Sequence, residues 1–118
     1  TTLFRSEAVI YDGDIQELEE IHQIQPTIRL MPPLRNVEDI ESLSQRLHPY
    51  AVDISWVALS AALIATCHEY GIKVFSDAMG EHEKIEDYVQ AVNWGIDLIQ
   101  TDHPLSVQRA LEICAHEK

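Results

Sequence analysis

Basic residues are scarce in this chain. Lys and Arg number 8 against 20 Asp and Glu, which leaves a formal net charge of −12. The few cations are scattered rather than clustered. A surface of this sign repels phosphate-rich polymers and anionic bilayers, so neither nucleic acid nor an anionic membrane is expected as the main partner. Long apolar runs are also missing, so no membrane span is expected. Thr1-Thr2-Leu3-Phe4-Arg5 lacks the anatomy of a signal peptide. Glycine is limited to 4 residues, and no Gly-rich phosphate loop, zinc-type spacing or nucleophile elbow occurs. Cysteine is limited to Cys67 and Cys114, both on apolar helical faces and far apart in sequence. Two reduced core thiols are expected.

What is present is a regular theme. With 46% apolar residues in 118, the chain suffices for one domain, 1–118, with its own core. Short apolar runs begin near Ala8, Thr27, Ala51, Ile72 and Ile96. Each ends in a polar residue and leads into an amphipathic stretch, so one unit takes roughly 20–24 residues, the length of a strand plus a helix. The pattern predicts an α/β fold of about five parallel βα repeats with right-handed crossovers.

The helix signals are specific. Asp14 with Glu17 forms a capping-box pattern ahead of Ile15, Leu18, Ile21 and Ile24. Asn36, Glu38 and Asp39 open a second helix with an Ile40, Leu43, Leu47 stripe, and His48-Pro49 ends it. A third is expected from about Val57 to Tyr70, stopped by Gly71. A fourth runs from about Lys84 to Trp94 with Ile85, Val89 and Val92 inward and Gly95 as its stop. Pro104 opens the fifth, whose face is Val107, Ala110, Leu111 and Cys114.

Parallel α/β folds gather function at the carboxyl ends of their strands. Here those ends carry Tyr11 and Asp12, Met31 and Pro32, Ser55 and Trp56, Ser76 and Asp77, and Thr101 and Asp102. The three carboxylates Asp12, Asp77 and Asp102 suit a divalent cation such as Mg²⁺ or Ca²⁺. They equally suit loop and helix caps, the commonest work of Asp at such turns. His22, His68 and His116 read as surface or boundary positions. Glu81-His82-Glu83 reads as a solvated loop on the functional rim. His103 follows Asp102 on that rim within reach of a ligand, with no carboxylate nearby in sequence to fix it.

The stretch Gly95-Ile96-Asp97-Leu98-Ile99-Gln100-Thr101-Asp102-His103-Pro104 resembles the last strand of the glycerophosphodiester phosphodiesterase family, where Gly-x-Asp-x-Ile-x-Thr-Asp-x-Pro closes a (β/α)₈ barrel. The similarity is weak at first and stronger from about residue 51. Cys67-His68-Glu69-Tyr70-Gly71-Ile72-Lys73-Val74 is similar to the family's approach to the preceding strand. The resemblance implies the carboxyl-terminal part of a TIM barrel that hydrolyses glycerophosphodiesters to an alcohol and glycerol phosphate in lipid metabolism, with a divalent cation, Mg or Ca, in the intact enzyme. Many members carry Trp-Thr-Val-Asn where this chain has Asp77-Ala78-Met79-Gly80. Asp77 in the tryptophan position implies a polar contact instead of stacking.

The family's His-Arg-Gly, His-Asp and Glu-x-Asp motifs do not occur here, so the resemblance implies that this machinery lies upstream of Thr1. It assigns no catalytic residue to the chain, which is expected to be inactive alone. The substrate-binding positions it suggests are Asp77, Thr101 and Asp102, with His103 beside them, and the substrate is a small phosphodiester. Five βα units cannot close an eight-stranded cylinder, so the missing amino-terminal half or self-association is expected to cover the open edges. Two other readings stand beside this one. A receiver-type signalling domain has acids after its first strand, as Asp12 and Asp14, and one at its third, as Asp53, with Ser76 near the fourth. It needs a lysine where this chain has Thr101-Asp102. A non-catalytic interaction domain is the other.

Overall fold

The computed structural model describes residues 10–78 and 83–116, with Ile10 and Tyr11 described by their backbone alone. The run start at Ala8, the Tyr11 side chain, Met79, Gly80, Glu81 and His82 lie outside the described residues. Strand and helix alternate throughout: β1 Ile10–Asp12, α1 Ile15–Ile24, β2 Arg29–Met31, α2 Ile40–Leu47, β3 Ala51–Asp53, α3 Ala61–Glu69, β4 Lys73–Asp77, α4 Ile85–Asn93, β5 Leu98–Gln100 and α5 Pro104–His116.

All pairings are parallel. β1 pairs with β2, and β3, β4 and β5 pair in sequence order. Pro32 and Pro33 interrupt the ladder between β2 and β3, because proline has no N–H to give. The two strands still run side by side. Tyr50 donates its N–H to Leu30 O at 3.0 Å, Asp53 to Pro32 O at 3.0 Å, and Leu34 to Asp53 O at 3.0 Å. A receiver-type sheet reverses its strand order around the first strand. Here β2 lies between β1 and β3, which excludes that alternative.

Side chains alternate along a strand. Leu30, Val52, Ile54 and Val74 therefore face the helices, where they join Leu18, Leu43, Leu47, Ile64 and Cys67 in one buried cluster. Asp12, Asp53, Phe75 and Asp77 take the opposite face, and none of them is fully buried. Both cysteines are free and buried, as the sequence predicts. Burial, followed by the charge of Asp97, pushes the Cys67 thiol up to about 11, so it stays neutral and unreactive at physiological pH.

The helices follow most of their signals. Asp14 caps α1, its Oδ1 accepting the Glu17 N–H at 2.8 Å. Ile40, Leu43 and Leu47 are buried as a stripe. Four expectations need correction. Ile24 is 84% exposed, because α1 ends on it before the chain turns away through Pro26. Val57 belongs to a separate 3₁₀ turn, Trp56–Ala58, and α3 begins later at a cap the pattern missed. That cap is Ser60, whose hydroxyl accepts the Leu63 N–H at 3.0 Å. On α4 the buried residues are Tyr88 and Ala91, while Ile85 at the first turn is 38% exposed. On α5, Ala110 and Cys114 are buried but Leu111 is 51% exposed.

The Gly-x-Asp portion of the final motif has a physical reason. Gly95 sits at φ 93°, a left-handed conformation that favours glycine, and a Cβ there would lie 3.5 Å from the His68 ring. The turn brings Asp97 beside Val74, which it grips twice. The Asp97 N–H donates to Val74 O at 3.1 Å, and its Oδ2 accepts the Val74 N–H at 2.8 Å. The same Oδ2 lies 2.8 Å from His68 Nε2. Asp97 thus fixes the start of β5 against β4 and α3. Replacing Asp97 with Ala leaves a half-buried N–H without its acceptor. Chemical denaturation should show a loss of about 1–3 kcal/mol, with Asp97→Asn, which keeps the acceptor oxygen, losing less.

Candidate functional site

The strand ends bring together two constellations, one around Asp53 and one around Glu83. Asp53 is the last residue of β3. Its carboxyl is pushed above the ordinary value of 3.8 by burial first, then by the charges of Asp12 and Asp77. Three acidic strand ends therefore share one electrostatic neighbourhood. They do not converge as metal ligands: among the described residues no group of three His, Cys, Asp or Glu side chains is arranged to hold an ion. These residues do not fit the divalent cation that the resemblance implies.

The second constellation centres on Glu83, which the sequence reading placed in solvent. Its side chain is only 6% exposed. Glu83 Oε1 accepts the Thr101 hydroxyl at 2.6 Å, the Asp102 N–H at 2.7 Å and the Tyr88 hydroxyl at 3.1 Å. Thr101 Oγ1 lies 2.9 Å from the Tyr88 hydroxyl and accepts the His103 N–H at 2.9 Å. Glu83 Oε2 is 3.5 Å from His103 Nε2. The loop before α4 and the end of β5 are thereby locked into one network. The signal that could have found Glu83 is Tyr88 five residues on, an amphipathic ring whose hydroxyl needs a partner when buried. Burial pushes the Tyr88 phenol up; the Thr101 contact opposes this, and Glu83 and Asp102 reinforce it.

The expected site residues thus divide. Thr101 is committed to the Glu83 network through its hydroxyl. Asp102 and His103 stand exposed beside it, and His103 has in Glu83 a carboxylate partner that was invisible in its sequence neighbourhood. Asp77 is exposed at the end of β4, one strand away. Ser76 is not a rim group: fully buried, it donates to Ile54 O at 2.6 Å and ties β4 to the end of β3. Trp56 packs edge-on against Tyr88 with ring centroids 6.1 Å apart, a packing role. Met31 and Pro32 are buried.

Two consequences are measurable. Removing the Glu83 carboxylate by Glu83→Ala strips several charge-assisted hydrogen bonds at once. It should cost roughly 1.5–3 kcal/mol and speed hydrogen exchange at the Asp102 amide, and unchanged exchange there would contradict the network. For Asp53, the folded state holds the proton more tightly than the unfolded chain does. Its charge therefore destabilises the fold above the raised value; the penalty fades as pH falls and is gone below the ordinary 3.8. Asp53→Asn should raise Tm at neutral pH, with the difference closing on acidification.

No protein-family model matches the sequence, and no curated protein matches it. Solved structures do match in fold. One, from Galdieria sulphuraria, is described as a glycerophosphodiester phosphodiesterase; it superposes with a TM-score of 0.74 at 18% identity over 91% of this chain and 45% of its own. A second, from Silicibacter pomeroyi, is described as a glycerophosphoryl diester phosphodiesterase, with a TM-score of 0.73 at 18% identity over 90% of this chain and 38% of its own. A third is an Oleispira antarctica phosphodiesterase in complex with the product sn-glycerol-3-phosphate, with a TM-score of 0.73 at 14% identity over 87% of this chain and 41% of its own. The chain spans less than half the length of each. Its described residues take the fold of part of such a barrel, as the Gly95 to Pro104 pattern implied.

Proposed function

We propose that this chain supplies the carboxyl-terminal strands and helices of a phosphodiester-hydrolysing (β/α)₈ barrel, as five consecutive βα units. The substrate class is the glycerophosphodiester, cleaved to an alcohol and glycerol phosphate in lipid metabolism. The observation that carries this reading is the likeness, over about nine-tenths of the chain, to solved glycerophosphodiester phosphodiesterases. The sequential parallel order and the Thr101-Asp102-His103-Pro104 rim support it.

In this reading the chain provides the wall of a site whose acid–base groups come from elsewhere. Asp77, Thr101, Asp102 and His103 line the rim towards the substrate. Thr101 and Glu83 hold Asp102 and His103 in place, and Asp77 offers a polar contact. Neither histidine motif of the resembled family is among the 118 residues. Among the described residues, the outer edges of β1 and β5 carry no strand partner. Leu105 and Leu111, on the last helix, are 79% and 51% exposed. Unpaired edges and apolar helix faces at the end of a sheet are covered in native proteins by further strands or by association.

The test is an assay of purified chain against glycerophosphodiesters with Mg²⁺ or Ca²⁺, alongside light scattering. Loss of one general acid–base group commonly costs about 10²–10⁴-fold in rate, so the chain alone should show no turnover and should self-associate. A barrel reconstituted with its missing half should be active, and Asp77→Ala in it should change substrate binding more than stability. Metal-dependent turnover by the chain alone, abolished by His103→Ala, would overturn the inactive-segment reading.

A further inference from the structure

The loop between β2 and α2 separates two cavities, and Pro33, Leu34 and Arg35 line both. The outer one, about 430 Å³, lies against α1 and α2 and reaches Arg46. The other, about 320 Å³, opens at the strand ends, where Asp53, Ser55 and Ala58 complete it. Leu34 anchors the loop: it is 3% exposed and its N–H donates to Asp53 O at 3.0 Å. Arg35 follows it directly and is exposed.

Arg35 stands apart from the other described arginines. Arg46 pairs with Glu19, Arg109 lies 3.3 Å from Glu112, and Arg29 stacks over the Tyr50 ring at 4.4 Å. Among the described residues Arg35 has no hydrogen-bond or ion-pair partner, although the chain carries 20 carboxylates and Asp53 lines the same cavity. Ser55 heads the turn Trp56–Ala58 without a side-chain cap bond, and among the described residues its hydroxyl has no hydrogen-bond partner. Arg35 and Ser55 line one small cavity, and a guanidinium fork and a hydroxyl are the donors that a phosphoryl oxygen pair requires. A volume near the lower end of the usual range for ligand sites suits a small ligand.

We propose that Arg35 and Ser55 are specificity residues of the strand-end cavity, binding the two free oxygens of a phosphodiester while Pro33, Leu34 and Ala58 flank its ester carbons. This rests on the phosphodiesterase reading and goes further by naming the contact and its charge preference. A diester carries one negative charge, whereas a phosphate monoester carries close to two at pH 7. Asp53, with Asp12 and Asp77 acting on it, opposes the second charge. The site therefore holds the diester and releases the monoester product.

The experiment titrates dimethyl phosphate, and separately inorganic phosphate, into ¹⁵N-labelled chain. Dimethyl phosphate should shift the Arg35 side-chain N–H and the Leu34 and Ser55 amides. Arg35→Gln should weaken that binding about tenfold or more, with Arg35→Lys in between and the melting temperature unchanged. Inorganic phosphate should bind less tightly and gain in Asp53→Asn. Shifts confined to other residues, unaltered binding in Arg35→Gln, or tighter binding of inorganic phosphate than of the diester would overturn the proposal. Because this readout needs no turnover, an inactive reconstituted barrel that still binds dimethyl phosphate through Arg35 would refute the hydrolytic reading while leaving the site standing.

Discussion

The rim of this molecule depends on one carboxylate taken out of water. Glu83 is nearly buried, and a buried charge is tolerated only when hydrogen bonds replace its hydration. The Thr101 and Tyr88 hydroxyls and the Asp102 N–H supply that replacement. In return they fix the path of the chain from β5 into α5, and with it the positions of Asp102 and His103. Tyr88 is the pivot on the packing side, with its ring against Trp56 and its hydroxyl in the network. A single buried group thus couples the helix layer to the carboxyl-terminal rim of the strands.

At the opposite end of the strands a second carboxylate does comparable work. Asp97 holds both backbone groups of Val74 and faces His68, so β4, β5 and α3 meet at one side chain. Pairing here starts at a fixed register, and the carboxyl end of β5 arrives opposite Asp77 as a result. The final motif is therefore two devices in one stretch: a clamp built on Asp97 and a rim built on Thr101.

Much of this was legible in the sequence, and the failures are instructive. The Asp14 cap and the Ile40, Leu43, Leu47 stripe are local, and the structure agrees with them. The start of α3 was missed because apolar residues run on from Trp56, and periodicity alone does not separate a 3₁₀ turn from a helix. On α4 the pattern puts Ile85, Val89 and Val92 inward. Val89 does pack against the core, but the fully buried residues are Tyr88 and Ala91, and the burial of Tyr88 depends on hydroxyl partners elsewhere in the chain. Glu83 was read as solvated because it sits in a polar string, while its partner Thr101 lies 18 residues away. Long-range polar pairing leaves no periodic trace. Arg35 offers no such signal either: that it has no hydrogen-bond or ion-pair partner among the described residues is visible only in the fold.

The central claim is that this chain is one part of a (β/α)₈ barrel, whose open edges are completed by further strands. The measurement that tests it most directly is an experimental structure of the natural polypeptide or assembly that carries these residues. The account predicts additional parallel strands joining the free edge of β5 to the free edge of β1, with Asp77, Asp102 and His103 facing the closed mouth. A structure in which β1 and β5 stay at the ends of an open sheet, or pair with each other without intervening strands, would contradict it.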